Sequence, residues 1–252
     1  MDQHAPPRLR PRTQMSNRGV CDELLPMADF SDYQFLREPF EGWILNGYCV
    51  TLVADISAEE FLRLVDAEIW PDRVRGYEEM NLAWPSTSDH YVGVAALPGR
   101  WTLVIETAAG HMGISECVMG SVAAKMHDIV SIYGAEGSGR IAWWTDGILV
   151  AHMDVSYLEY DDVWSGADPR RFEDVWNAVV PDDLDDRVDS GWVFPQALFA
   201  AAEKITGTRL SQEVLAFSEF TLATVRAILP PAAGEYTRRL RDAGWDARAL
   251  HP

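Results

Sequence analysis

The sequence predicts an α+β protein, a largely antiparallel sheet in the order strand, helix, hairpin, helix, hairpin, with helices on one face and a C-terminal helical region behind it. Three observations carry this. Two hairpin signals are present, residues 90–97 and 100–106 around Pro98-Gly99, and residues 140–145 and 148–154 around Asp146-Gly147. Short turns of this kind join antiparallel neighbours, and Asp-Gly supplies the positive φ angles of a type I′ turn. Helical spacing of apolar residues separates the hairpins, and from Asp168 onward the pattern is helical. Strands first and helices after is the α+β arrangement.

Taken in order, residues 1–28 place Pro6, Pro7 and Pro11 among arginines with little apolar periodicity, and read as a flexible arm. Gly47-Tyr-Cys-Val-Thr-Leu-Val53 is rich in β-formers and reads as a strand. Ser57-Ala-Glu-Glu60 fits a capping box, and Phe61, Leu62 and Val65 share one face of the helix it opens. Residues 114–133 carry Val118, Val122, Met126, Ile129 and Val130 at helical spacing, with Gly134 as the stop. Further helices are expected over 169–178, 194–206, 212–229 and 235–243, with Gly207 ending the second and Ser211 capping the third. The organisation is an arm (1–28), an α+β sheet domain (29–160) and a helical region packed on the same domain (161–252).

Composition narrows the function classes. With 48% hydrophobic and 24% charged residues the chain has the make-up of a folded protein. Ten tryptophans either thicken the core or, at a surface, anchor a partner. No apolar run reaches the length of a membrane span, and the first 28 residues lack the apolar segment of a secretory signal, so a cytoplasmic location is expected. Three irregularly spaced cysteines, Cys21, Cys49 and Cys117, form neither a disulfide framework nor a zinc-ribbon pattern; Cys49 and Cys117 lie in apolar stretches and read as core.

A formal charge of −18 opposes binding to nucleic acid. The two basic stretches, Arg8, Arg10, Arg12 and Arg18 at one end and Arg238, Arg239, Arg241 and Arg248 at the other, read as a solvated tail and a solvated helix face. No phosphate loop, dinucleotide fingerprint, nucleophile elbow or HExxH zinc motif occurs, so no cofactor is expected.

Spaced polar residues remain. His152 and Asp154 share one face of their strand, with Ile141 expected opposite His152; they form an acid/base pair if a pocket encloses them and a solvated rim if not. His111 sits in Gly110-His-Met-Gly113 between a strand and a helix, with Glu106 before it and Glu116 after, where strand-to-helix loops often carry binding groups. A metal site of His90, His111 and His152 needs the open ends of the two hairpins to meet. The acidic residues Asp182, Asp183, Asp185, Asp186 and Asp189 lack the glycine and terminal glutamate of a calcium loop. With Asp161, Asp162, Trp164 and Trp192 they compose a negative, aromatic surface suited to a basic protein.

Several segments together resemble a family known from actinobacterial genomes as a domain of unknown function. They are Tyr48-Cys-Val-Thr-Leu-Val53, Ser57-Ala-Glu-Glu-Phe-Leu62, Trp101-Thr-Leu-Val-Ile-Glu106, Trp144-Thr-Asp-Gly147, Ser165-Gly-Ala-Asp-Pro169, Ala201-Ala-Glu-Lys-Ile-Thr-Gly207 and Leu210-Ser-Gln-Glu-Val-Leu215. The resemblance spans residues 30–217 and implies no activity. Two readings follow from the residues themselves. One is an interaction protein of inhibitor, immunity or defence type that binds a basic protein. The other is a cofactor-independent enzyme acting on a small organic molecule through His152, Asp154, His111 and Glu106, with Trp143 or Trp144 as an apolar wall.

Overall fold

Strand β1 (Tyr48–Ala54) is buried along its whole length, so a layer of structure must cover each of its sides. It pairs antiparallel with β4 (Trp101–Glu106) and with β5 (Asp128–Ala135). One wing continues through β3 (His90–Ala96) and β9 (Glu219–Val225) to β2 (Glu68–Arg75). The other runs through β6 (Ser138–Thr145) and β7 (Ile148–Asp154) to the short β8 (Trp164–Ser165), completing a nine-stranded sheet. The computed structural model describes residues 28–84, 90–107, 110–125, 128–135, 138–154, 164–180 and 190–225.

The α+β class and the antiparallel sheet are as expected, but the helices occupy both faces instead of one. Tyr48, Val50, Leu52 and Ala54 join a core that takes in a 3₁₀ helix (Phe30–Arg37), α1 (Glu41–Asn46), α5 (Arg170–Val179) and α6 (Ser190–Thr206). On the reverse face Val53, Val104, Ile129 and Trp144 meet Phe61 and Leu62 of α2 (Ala58–Leu64) and Met119 and Val122 of α4 (Glu116–Ala123). The physical reason is period 2: β1 carries apolar residues on both faces, and each fully buried Val, Leu or Phe side chain contributes about 1.5–3 kcal/mol only if its own side is covered. Aromatic rings thicken the first layer. Tyr48 lies 5.7 Å from Phe199 of α6 and 5.9 Å from Trp43 of α1, centroid to centroid.

Two expected helices are each half strand. Residues 114–133 divide into α4 and β5, because Ile129-Val-Ser-Ile-Tyr133 is β-branched and aromatic, and pairing with β1 outweighs helical spacing. Residues 212–229 divide into α7 (Gln212–Phe217) and β9, whose apolar Phe220, Leu222, Ala223 and Val225 pack between β2 and β3. Strand β2 and helix α3 (Gly76–Leu82) are additional to the elements read from the sequence. β2 is an edge strand, and its Pro71, Asp72 and Arg73 blunt the exposed edge against further pairing. The arm and the segment 235–243 lie outside the described residues.

Local signals did what their chemistry predicts. Ser57 Oγ accepts from the Glu60 amide at 3.2 Å, which is the serine half of the expected capping box, and Ser211 Oγ accepts from the Val214 amide at 3.3 Å. Asp146 and Gly147 take φ of 51° and 79°, as a type I′ turn requires. A bulge between Trp143 and Trp144 shifts the register of that hairpin, so His152 faces Ala142 and not Ile141. No helix among the described residues is long and apolar enough to cross a membrane.

Gly76 opens α3 directly from β2 at φ +77°, and a Cβ there would lie 2.7 Å from the carbonyl carbon of Ala216 in α7. Gly76→Ala is therefore expected to lower stability by about 2–3 kcal/mol through backbone strain and overlap. Urea unfolding measures this; a loss below about 0.5 kcal/mol would mean that α3 and α7 part readily.

Candidate functional site

Directly opposed residues of antiparallel strands share a face. The registers therefore set Glu106, Cys49, Tyr133, Arg140 and Asp154 in one row across the α4 side of the sheet, with Thr51, Ser131, Ala142, His152 and Ser165 in the next. This polar strip holds three of the four residues of the proposed acid/base set, and the fourth, His111, lies in the loop above it.

At one end of the strip the Glu106 carboxylate is buried and accepts two backbone hydrogen bonds, from the Met112 and Gly113 amides, each at 2.8 Å. His90 Nδ1 stands 3.9 Å from Glu106 Oε2, and the His90 and His111 rings meet edge to face at 5.1 Å. Thr51 Oγ1 and Ser131 Oγ share a hydrogen bond of 2.9 Å beneath the loop. The loop sits so close that a Cβ at Gly113 would lie 2.9 Å from Cys49 Sγ, and one at Gly110 would lie 2.6 Å from Glu106 Oε2. Glycine brackets His111 and Met112 for this reason, and the buried carboxylate serves first as a clasp that satisfies two amides of the turn.

The other end is separate. Four strand spacings of about 4.8 Å put His152 about 19 Å from Glu106, so His152 does not join the His90 and His111 pair. Asp154 Oδ2 receives a hydrogen bond from Arg140 Nε at 2.8 Å, and His152 Nδ1 lies 3.4 Å from Ser165 Oγ. Burial, followed by the Arg140 cation, pushes the His152 pKa down to about 4 against the opposing pull of Asp154. Among the described residues no three His, Cys, Asp or Glu side chains gather as metal ligands would.

The fold makes a different concavity on the opposite side of the sheet. A cleft of about 690 Å³ opens where α1 and α3 meet the turn that precedes α1. Its aromatic lining is Phe40, Trp43, Tyr77 and Trp84. Trp43 and Tyr77 stack at 4.3 Å with their planes 28° apart, and Phe40 meets Trp43 edge-on at 6.1 Å. The floor is nearly closed to solvent, whereas Trp84 keeps 38% and Leu82 85% of its surface exposed. Among the described residues Glu78 is the one charged residue of the lining, and Asn46 and Asn81 add amide groups. Buried Trp43 Nε1 has no hydrogen-bond partner among the described residues.

A second cleft, of about 600 Å³, mixes Glu59, Arg63, Asp66 and Arg73 and so favours neither sign of charge. The aromatic cleft escaped the sequence reading because α3 did, although Tyr77, Asn81 and Trp84 recur at positions i, i+4 and i+7. Asp161, Asp162, Asp182, Asp183, Asp185, Asp186 and Asp189 lie outside the described residues, as do the side chains of Trp164 and Trp192.

Two measurements test this geometry. Glu106→Gln places an amide NH₂ against a backbone N–H and is expected to cost about 2–3 kcal/mol, with faster hydrogen exchange at Met112 and Gly113. Unchanged exchange would remove the clasp. Separately, His152 protonates near its ordinary pH of about 6.5 when unfolded but stays neutral in the fold down to about 4, so stability falls as pH falls through that window. His152→Gln is expected to remove about 2 kcal/mol of the stability difference between about pH 6.5 and 4.5 in urea unfolding; an unaltered difference would mean that His152 is charged in the native protein.

No curated protein and no solved structure matches the chain. A family match covers residues 27–229, which takes in the whole sheet, both of its helical layers and both ends of the polar strip. The chain belongs to the family of unknown function DUF6461.

Proposed function

We propose that this is a cytoplasmic interaction protein, of inhibitor, immunity or defence type, that binds a basic protein partner and takes one of its cationic side chains in the cleft between α1 and α3. The observation that carries the reading is the lining of that cleft: among the described residues, four aromatic residues with a single charge, the carboxylate of Glu78. Aromatic faces attract cations by about 0.5–1 kcal/mol when exposed and about 2 kcal/mol when desolvated. Arginine suits the site better than lysine, because its planar guanidinium stacks on a ring while its N–H groups reach the Glu78 carboxylate and the amide oxygens of Asn46 and Asn81.

The rest of the molecule supports the same sign of partner. A formal charge of −18 steers a basic protein toward the surface from a distance, and this attraction weakens as salt rises. Exposed Leu82 and Trp84 at the rim supply apolar area of the kind that anchors interfaces. The alternative, acid/base catalysis on a small molecule, draws on His90 and His111 beside Glu106. It is the weaker reading because the Glu106 and Asp154 carboxylates are already engaged by backbone amides and by Arg140.

The test is capture of partners by the tagged full chain from its native lysate, run in parallel with Glu78→Lys and Trp84→Ala. A basic protein held by the wild type, released by salt and lost at least tenfold in both variants is the expected result. Identical captured sets for wild type and variants would overturn the reading, as would a co-purifying metabolite whose retention depends on His90 and not on Glu78.

A further inference from the structure

We infer that His90 and His111 together bind a divalent cation of the zinc type, in an open site at the rim of the sheet with the buried carboxylate of Glu106 behind His90. The site lies on the α4 side and is independent of the aromatic cleft.

The spacing of the two rings is that of a chelating pair. Zinc bonds a ring nitrogen at about 2.0–2.1 Å, which puts the ion roughly 3.2 Å from the ring centroid, so two imidazoles at a tetrahedral angle have centroids about 5.2 Å apart. The His90 and His111 centroids are 5.1 Å apart. Their planes differ by 80°, so the rings do not stack. Each turns about a broad χ2 torsion, which aims a nitrogen at a shared ion without moving the centroid far. Imidazole suits zinc, copper and nickel, whereas magnesium and calcium take oxygen ligands.

Both rings are carried by backbone that is already fixed. His90 opens β3 and is paired with Val225 of β9. His111 lies in the loop that Glu106 pins through the Met112 and Gly113 amides, with Gly110 and Gly113 letting the loop lie close to the sheet. Glu106 also acts on His90 itself. Its Oε2 stands 3.9 Å from His90 Nδ1, too far for a hydrogen bond but near enough for its charge to favour the tautomer with the proton on Nδ1. That leaves the Nε2 lone pair for the ion. The Glu106 side chain is 1% exposed, so its charge acts through a medium of low dielectric and attracts a dication. His90 keeps 15% of its side chain exposed and His111 is half-buried, which gives the ion access from solvent. Among the described residues no third His, Cys, Asp or Glu completes the set. The remaining positions of the ion go to water or to a Lewis-basic group of a bound molecule, as at an open zinc site.

The experiment is calorimetric titration of zinc chloride into the metal-stripped full-length chain, in millimolar magnesium so that surface carboxylates hold the harder ion. One zinc per chain is expected. His90→Gln and His111→Gln should each weaken binding at least tenfold, and Glu106→Gln about tenfold, while Trp84→Ala leaves it unchanged. Cobalt(II) bound in place of zinc is expected to give a visible absorption band that both histidine variants lose and that Glu106→Gln retains at saturating cobalt, since its two ligands remain. Zinc should also raise the urea midpoint of wild type and not that of the doubly substituted His90→Gln, His111→Gln chain. Absence of zinc uptake by wild type overturns the inference, as does an affinity that survives both histidine substitutions. Equal affinity in Glu106→Gln overturns the part given to the carboxylate.

Discussion

Burial of β1 on both faces is the constraint from which the rest of the architecture follows. A strand with one wet face needs a single layer of helices, whereas a strand like Tyr48–Ala54 needs two. The long apolar helix α6 answers one side through Phe199 and its neighbours, and the shorter α2 and α4 answer the other. Covering so wide a sheet on the α6 side also recruits α1 and α3. Where those two short helices meet, Trp43 and Tyr77 stack and form the floor of the cleft, with Leu82 and Trp84 at its rim.

The polar strip on the α4 side is the counterpart of that packing. Helices α2 and α4 cover the row of Val53, Ile129 and Trp144, and the next two rows carry Thr51, Ser131 and His152, then Glu106 and Asp154. These groups are tied to one another or to backbone: Glu106 to two amides, Thr51 to Ser131, and Asp154 to Arg140. Such fully engaged polar groups fix register and loop position, and spending their lone pairs on structure leaves less for chemistry. The cleft on the other side shows the converse balance. Among its described lining residues Glu78 alone carries a charge, and the buried Trp43 indole N–H has no partner among the described residues.

Local chemistry was legible in the sequence wherever one residue acts on its immediate neighbours. Ser57 and Ser211 cap their helices, Asp146-Gly147 turns its hairpin and Gly207 ends α6, because each effect is settled within four residues along the chain. The α+β class and the antiparallel sheet follow from the same local signals added together, as does membership of a family whose matching segments are mostly strands and caps.

Tertiary structure alone decided everything that depends on partners distant in sequence. Ile129 to Tyr133 and Phe220 to Val225 fit a helix or a strand by spacing, and only the vacant edges of β1 and β3 selected the strand. The bulge at Trp143 moved His152 by one partner, and the strand order set it far from His90 and His111, which no spacing along the chain could reveal. The cleft joins Phe40 and Trp43 to Tyr77 and Trp84 across more than 30 positions of sequence. Periodicity reports which face of an element is apolar; which two apolar faces meet, and what they leave open between them, is set by packing.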